Sequence, residues 1–184
     1  MLISKFCKEN FNVSLGELEN KIGCALPSEY VRFLEKYNRG FTPKTKWTGK
    51  NKSDIRGFLG IGISDDYWNL EEEIKHEKSN DLFRNSFLPI AKNSFGDLFC
   101  INVDDGEIWF AYHDNDKRIK IADGFAKFIA KCKSESIGHI RTIEERKQGM
   151  IDAGVWHLFS EDMVEDWQKE IDRYSNMTQE EVTF

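Results

Sequence analysis

Nowhere along its 184 residues does the chain run to the roughly 18 consecutive apolar positions that a membrane span requires. No membrane partner is therefore expected. The first residues, MLISKFCKENF, lack an apolar stretch and meet charge at Lys5 and Lys8, so no secretory signal peptide is expected. The four cysteines, Cys7, Cys24, Cys100 and Cys132, contain no Cys-x-x-Cys pair. Isolated thiols of this kind are usual in reducing compartments, which argues against a disulfide framework or zinc site and makes the cytoplasm the expected location.

Signatures of catalysis are missing too. His76, His113, His139 and His157 are scattered, and no two form a metal-ligand pair on one helix face. There is no Walker loop, dinucleotide fingerprint or nucleophile elbow, and GISDD lacks the Gly-x-Ser-x-Gly pattern. HDNDKR, from His113 to Arg118, concentrates oxygen atoms, but the glycine and closing glutamate of a calcium loop are absent, so it reads as a polar turn. Glu71, Glu72 and Glu73 are adjacent and point in different directions around a helix, as a solvated face does. The expectation is a protein with no enzymatic activity, no cofactor and no metal.

What is present is aromatic and charged. Fourteen Phe and five Trp supply a sizeable core for one ordinary domain, possessing room for an appendage. Charged residues make up 32%, with a net charge of -6, which argues against nucleic acid as a direct partner because phosphates are bound by basic patches. The charge is unevenly spread. Arg39 to Arg56 holds Arg39, Lys44, Lys46, Lys50, Lys52 and Arg56 against Asp54, with Trp47 inside it, and reads as a basic exposed loop. From Glu161 onward there are eight acids and two bases.

Several elements follow from spacing. SLGE offers a capping box, Ser14 with Glu17, for a first helix carrying Leu15, Leu18 and Ile22. Pro27 suits the start of a second helix with Tyr30, Phe33, Leu34 and Tyr37 as its apolar stripe, closed by Gly40 in a left-handed position. Ile55–Gly62 reads as a short strand, DDYWNLEEEIKHEK as a helix with Tyr67, Leu70 and Ile74 inward, Phe87–Ala91 and RIKIA as strands, and DGFAKFIAKCK as a helix placed by Phe125, Phe128 and Ile129. TIEE gives a second capping box, Thr142 with Glu145, and Ser160 a cap for a helix carrying Met163, Val164, Trp167 and Ile171. The last residues, SNMTQEEVTF, are expected to fray.

The stretch SFGDLFCINVDDGEIWFAYHD reads as a hairpin. Asp105-Gly106 suits a two-residue type I′ turn, which pairs Asn102 with Trp109 and Cys100 with Ala111. Alternation then sorts Phe99, Ile101, Val103, Ile108, Phe110 and Tyr112 onto a core face. Leu98, Cys100, Asn102, Trp109, Ala111 and His113 fall on the other face, which either is covered at Trp109 by a helix or another strand or makes contact, a large aromatic beside Asn and His being a frequent anchor pattern at protein interfaces.

LPSEYVRFLEKYNRG, with its Leu-Pro, aromatic, Phe-Leu and Asn-x-Gly end, resembles the signature of the SUKH superfamily. FLPIAKNSFGDLFCINVDDGEIWFAYHD is similar to that family's strand (Leu88-Pro89-Ile90-Ala91), Gly-Asp turn (Gly96-Asp97) and hairpin. The resemblance covers roughly residues 14–132. It implies an α+β fold: a curved, mainly antiparallel sheet packed against helices. Residues 1–136 would form that domain and 137–184 a helical C-terminal extension packed on it. It also implies an immunity protein that binds and neutralises a cognate toxin, often a nuclease. The alternative it offers is a protein-interaction or regulatory scaffold module of the cell-wall-regulator type. The residues expected to meet the partner are Asn102, Asp104, Asp105, Glu107, Trp109, His113, Asp114, Asp116 and Trp47, the acids standing in for phosphates and Trp109 as anchor.

Overall fold

Apolar residues alternating along Leu98–Asn102 and Ile108–Ala111 give two strands covered on both faces, and the rest of the sheet extends from them. The computed structural model describes residues 1–4, 14–175 and 177–183. Among these, the strands are β1 (Leu2–Ser4), β2 (Gly40–Trp47), β3 (Ser53–Phe58), β4 (Phe87–Lys92), β5 (Leu98–Asn102), β6 (Ile108–Ala111), β7 (Arg118–Ala122), β8 (Cys132–Ser134) and β9 (Gln179–Glu181). They pair antiparallel in the order β7-β6-β5-β4-β3-β2-β1-β9, while β8 pairs with Thr45–Trp47 of β2. The helices are α1 (Ser14–Ile22), α2 (Ser28–Tyr37), α3 (Leu70–Glu73), α4 (Glu77–Arg84), α5 (Phe125–Lys131), α6 (Ile143–Asp152) and α7 (Glu161–Ser175). The fold is α+β, as the resemblance implies.

The chain divides into two units, Met1–Glu135 with Gln179–Phe184, and Ser136–Thr178. In the first, α2 and α5 cover one face of the sheet. Phe33 of α2 meets Phe58 at 4.7 Å and Phe125 at 5.1 Å between ring centres, and Phe128 of α5 meets Phe99 at 5.5 Å. Glu29 fastens the two helices, its carboxylate accepting from the Ala126 N–H at the start of α5. On the other face, Leu82 of α4 packs on Leu98, Cys100 and Ala111, with Phe87 against the same cluster. Register shifts within β2, β4 and β6 add bulges that bend the sheet.

Several expectations change. The stretch from Arg39 to Arg56 is a hairpin, β2 and β3, and no loop: Thr42, Thr45 and Trp47 turn inward while Lys44 and Lys46 point out. The α2 helix ends on Asn38 instead of Gly40. Asn38 is left-handed (φ 37°, ψ 49°), and its side chain both donates to and accepts from the Ile61 backbone at 2.9 Å. Gly40 lies in β2, where a Cβ would run into the Ile3 side chain. The expected helix after Asp65 is broken into α3 and α4, and Asn69 caps α3 by accepting from the Glu72 N–H. Tyr67 is exposed, not inward. Glu73 is buried and pairs with Lys92, so the three glutamates are not one solvated face. Residues 177–183 do not fray: β9 pairs with β1, and the Thr183 N–H donates to Tyr37 Oη at 3.0 Å. The Ser14 side chain, on which the first capping box depends, and Cys7 lie outside the described residues.

The second unit holds α6 and α7. Its capping box is formed, Thr142 accepting from the Glu145 N–H while Glu145 accepts from the Thr142 N–H. Trp156 stacks on Phe159 at 4.5 Å, and Arg146 pairs with Glu170 at 2.9 Å. Neither helix has a buried residue. No helix among the described residues is long and apolar enough to cross a membrane.

Candidate protein-interaction surface

The β5–β6 hairpin pairs Cys100 with Trp109 and Leu98 with Ala111, two residues away from the expected register. A shift of two leaves every side chain on its face. Phe99, Ile101, Ile108 and Phe110 are accordingly buried on the α2/α5 side. The turn is a four-residue loop, 103–106, in place of a two-residue type I′ turn. Gly106 (φ 77°) donates its N–H to the Asn102 carbonyl, and the Asn102 N–H donates to the Glu107 carbonyl. Side chains fix the loop: Asn102 Oδ1 accepts from the Asp104 N–H and Asp105 Oδ1 from the Glu107 N–H, each at 2.8 Å.

The nine expected residues separate into two clusters and two single tryptophans. Asn102, Asp104, Asp105 and Glu107 gather at the loop end of the hairpin. Asp104 and Asp105 are exposed. Asp104 lies near Cys24; burial first, then the charges of Asp104 and Glu19, push that thiol up. Glu107 is paired with Lys120, which also holds Asp123 at 3.0 Å. The hydrogen bonds to Glu107 and then Asp123 raise the Lys120 ammonium, and the bond from Lys120 lowers Asp123. The negative charge of Glu107 is thus answered within the chain.

His113, Asp114 and Asp116 lie at the opposite end of the hairpin, all exposed. His113 is fixed by Asp97, whose Oδ1 accepts from the His113 N–H at 2.9 Å and lies 2.8 Å from its Nδ1. Burial pulls the Asp97 carboxyl up, but the bonds from His113 and Asn93 outweigh it and hold the group below its ordinary value. Trp109 sits midway, partly buried, with Phe87 edge-on at 5.4 Å. Its indole N–H is shut off from solvent without an acceptor among the described residues. Trp47 joins neither end. It is 1% exposed, donates to the Lys50 carbonyl at 2.7 Å and packs on Phe128 at 5.4 Å, so it is a core residue with no surface to offer.

Spacing also missed the most exposed large aromatic among the described residues. Phe95, beside the Gly96-Asp97 turn, is 75% exposed. Among the described residues no group of three or more His, Cys, Asp or Glu stands where it could hold a metal ion. An open groove of about 450 Å³ is lined by Lys50, Lys120, Lys127 and Lys131 with Asp123, and carries no nucleophile and base side by side.

A family model, that of the SMI1/KNR4 family (SUKH-1), matches residues 13–131. The SPbeta prophage-derived uncharacterized protein YokK of Bacillus subtilis (strain 168) is similar, 30% identical over 152 residues, covering 70% of this chain and 77% of its own length.

Proposed function

The chain belongs to the SMI1/KNR4 family (SUKH-1), and from that premise we propose that it is a non-enzymatic immunity protein of the cytoplasm that binds and neutralises a cognate toxin. The observation that carries this reading is the family match over residues 13–131, supported by a relative of prophage origin. Neutralisation by binding needs no catalytic group. It needs a surface of about 800 Å² on each partner that covers the toxin's active site or substrate groove.

Toward a basic nuclease, the exposed carboxylates Asp104, Asp105, Asp114 and Asp116 stand in for phosphates and steer the approach. Asn102 and Glu107 serve by shaping and charging the loop from within, since their side chains already have partners. His113 presents its exposed ring from a fixed backbone. Trp109 offers the part of its ring that Phe87 leaves open.

The test is co-expression with the C-terminal domain of the protein encoded by the adjacent gene, as the candidate toxin. Cells carrying both survive under this reading. If they die as fast as cells with the toxin domain alone, the immunity reading fails and the scaffold module is the reading left.

A further inference from the structure

Three turns of the sheet meet at one end and are tied to one another by side chains. They are the β2–β3 turn (48–52), the β4–β5 turn (93–97) and the β6–β7 turn (112–117). Asn93 Nδ2 donates to Ser53 Oγ at 3.0 Å, and Ser94 donates to Asp54 Oδ2 through its N–H at 3.1 Å and its Oγ at 2.5 Å. Tyr112 Oη donates to Asn51 Oδ1 at 2.8 Å, and Asp97 holds His113. The middle turn is also closed internally. Asn93 Oδ1 accepts from the N–H groups of Phe95 and Asp97, and Asn93 Nδ2 donates to Asp97 Oδ2 at 2.9 Å. Gly96 takes the left-handed position (φ 89°) that lets the turn close.

On this locked platform stands Phe95, 75% exposed. An aromatic on a mobile tip has rotational freedom to lose on binding; one on a fixed backbone loses far less, which is the property of an interface anchor. Its surroundings are polarised. The 48–52 turn presents the exposed cations Lys50 and Lys52, and the 112–117 turn presents the exposed anions Asp114 and Asp116, with Lys117 over the Tyr112 ring.

We propose that Phe95 is the central anchor for the toxin domain, inserting into an apolar socket whose rim is cationic where it faces Asp114 and Asp116. The inference rests on the immunity reading and assigns it a place on the surface. A protruding ring needs a socket. The chain's net charge of -6 favours a cationic partner over a second, equally acidic copy as the occupant.

The experiment measures binding of the full-length chain to the purified C-terminal domain of the protein encoded by the adjacent gene, the candidate toxin, with thermal melts as a fold control. Phe95→Ser is expected to weaken binding by about 30-fold or more with its melting temperature unchanged, while Phe95→Tyr stays within about threefold. Asp114→Lys with Asp116→Lys is expected to slow association and reduce its salt dependence. If the wild-type chain binds and protects cells but Phe95→Ser does so equally well, the anchor is overturned and the immunity reading stands. If the wild-type chain neither binds nor protects, the immunity reading falls and this inference with it. A wild-type dimer that Phe95→Ser turns into monomer would make a second copy the occupant and overturn the proposal.

Discussion

Asp97 and His113 are joined twice through a single oxygen: Oδ1 of Asp97 accepts from the His113 backbone N–H at 2.9 Å and lies 2.8 Å from its ring Nδ1. The pair couples the β4–β5 turn to the β6–β7 turn. Asp97 is 8% exposed, so these bonds replace its lost hydration. Asp97→Asn is expected to destabilise the chain by about 1–3 kcal/mol. A shift of the urea midpoint corresponding to less than about 0.5 kcal/mol would contradict this role.

The same residue sets a pH dependence. The folded carboxyl lies below its ordinary value, so its contribution is complete above the unfolded pKa of about 3.9 and is lost as pH falls through the folded value. Wild type and Asp97→Asn should therefore differ by a constant stability between about pH 5 and 6, and converge below about pH 4. Urea titrations across that range check the sign. A gap that widens on acidification would show the carboxyl raised instead.

Glu73 and Lys92 form an ion pair in which both side chains are under a tenth exposed. Ser79 Oγ donates to Glu73 at 2.5 Å, and Lys92 donates to the Tyr67 carbonyl at 3.0 Å. Removing one partner leaves a charge buried alone. Glu73→Leu should cost about 3–5 kcal/mol, and adding Lys92→Met should recover a large part of that loss. Chemical denaturation of the three variants decides it, and simple additivity would mean the two residues do not depend on each other.

Trp47→Ala should behave as a core deletion, with a loss of about 3–5 kcal/mol, because the indole fills the space between β2 and Phe128. Calorimetric melting reads this directly. A variant of unchanged stability and impaired toxin binding would return Trp47 to the surface.

The peptide 136–178 alone should show little helix by circular dichroism in water. Its helices, α6 and α7, have no buried residue, and helices of this length are marginal without packing. Full helicity in isolation would mean that capping and surface pairs suffice.

The parity of the hairpin was legible because alternation survives a register shift of two. The turn was not, since Asp105-Gly106 suits a two-residue turn as well as a longer loop, and the choice lies with the Asn102 and Asp105 side chains folding back on the backbone. The α2 stripe and the Thr142–Glu145 capping box were readable because both are local patterns. Glu73 was misread because its partner Lys92 lies in another strand, and nothing in a run of three glutamates marks one of them for burial. Lysines at alternate positions of β2 gave the segment a loop-like composition while Thr45 and Trp47 turned inward. At the surface, the acids were visible in the sequence, but the pairing of Glu107 with Lys120 was not. Phe95 escaped because a phenylalanine next to Gly-Asp looks like any other core aromatic until the turn beneath it is built.

The central claim is that this chain acts by binding a toxin. Its most direct measurement is a calorimetric titration of the full-length chain into the purified C-terminal domain of the candidate toxin encoded by the adjacent gene, with toxin activity followed in the same samples. The account predicts saturable binding that weakens with added salt and toxin activity that falls to background at saturation. No binding heat at any temperature, together with undiminished toxin activity, would contradict it.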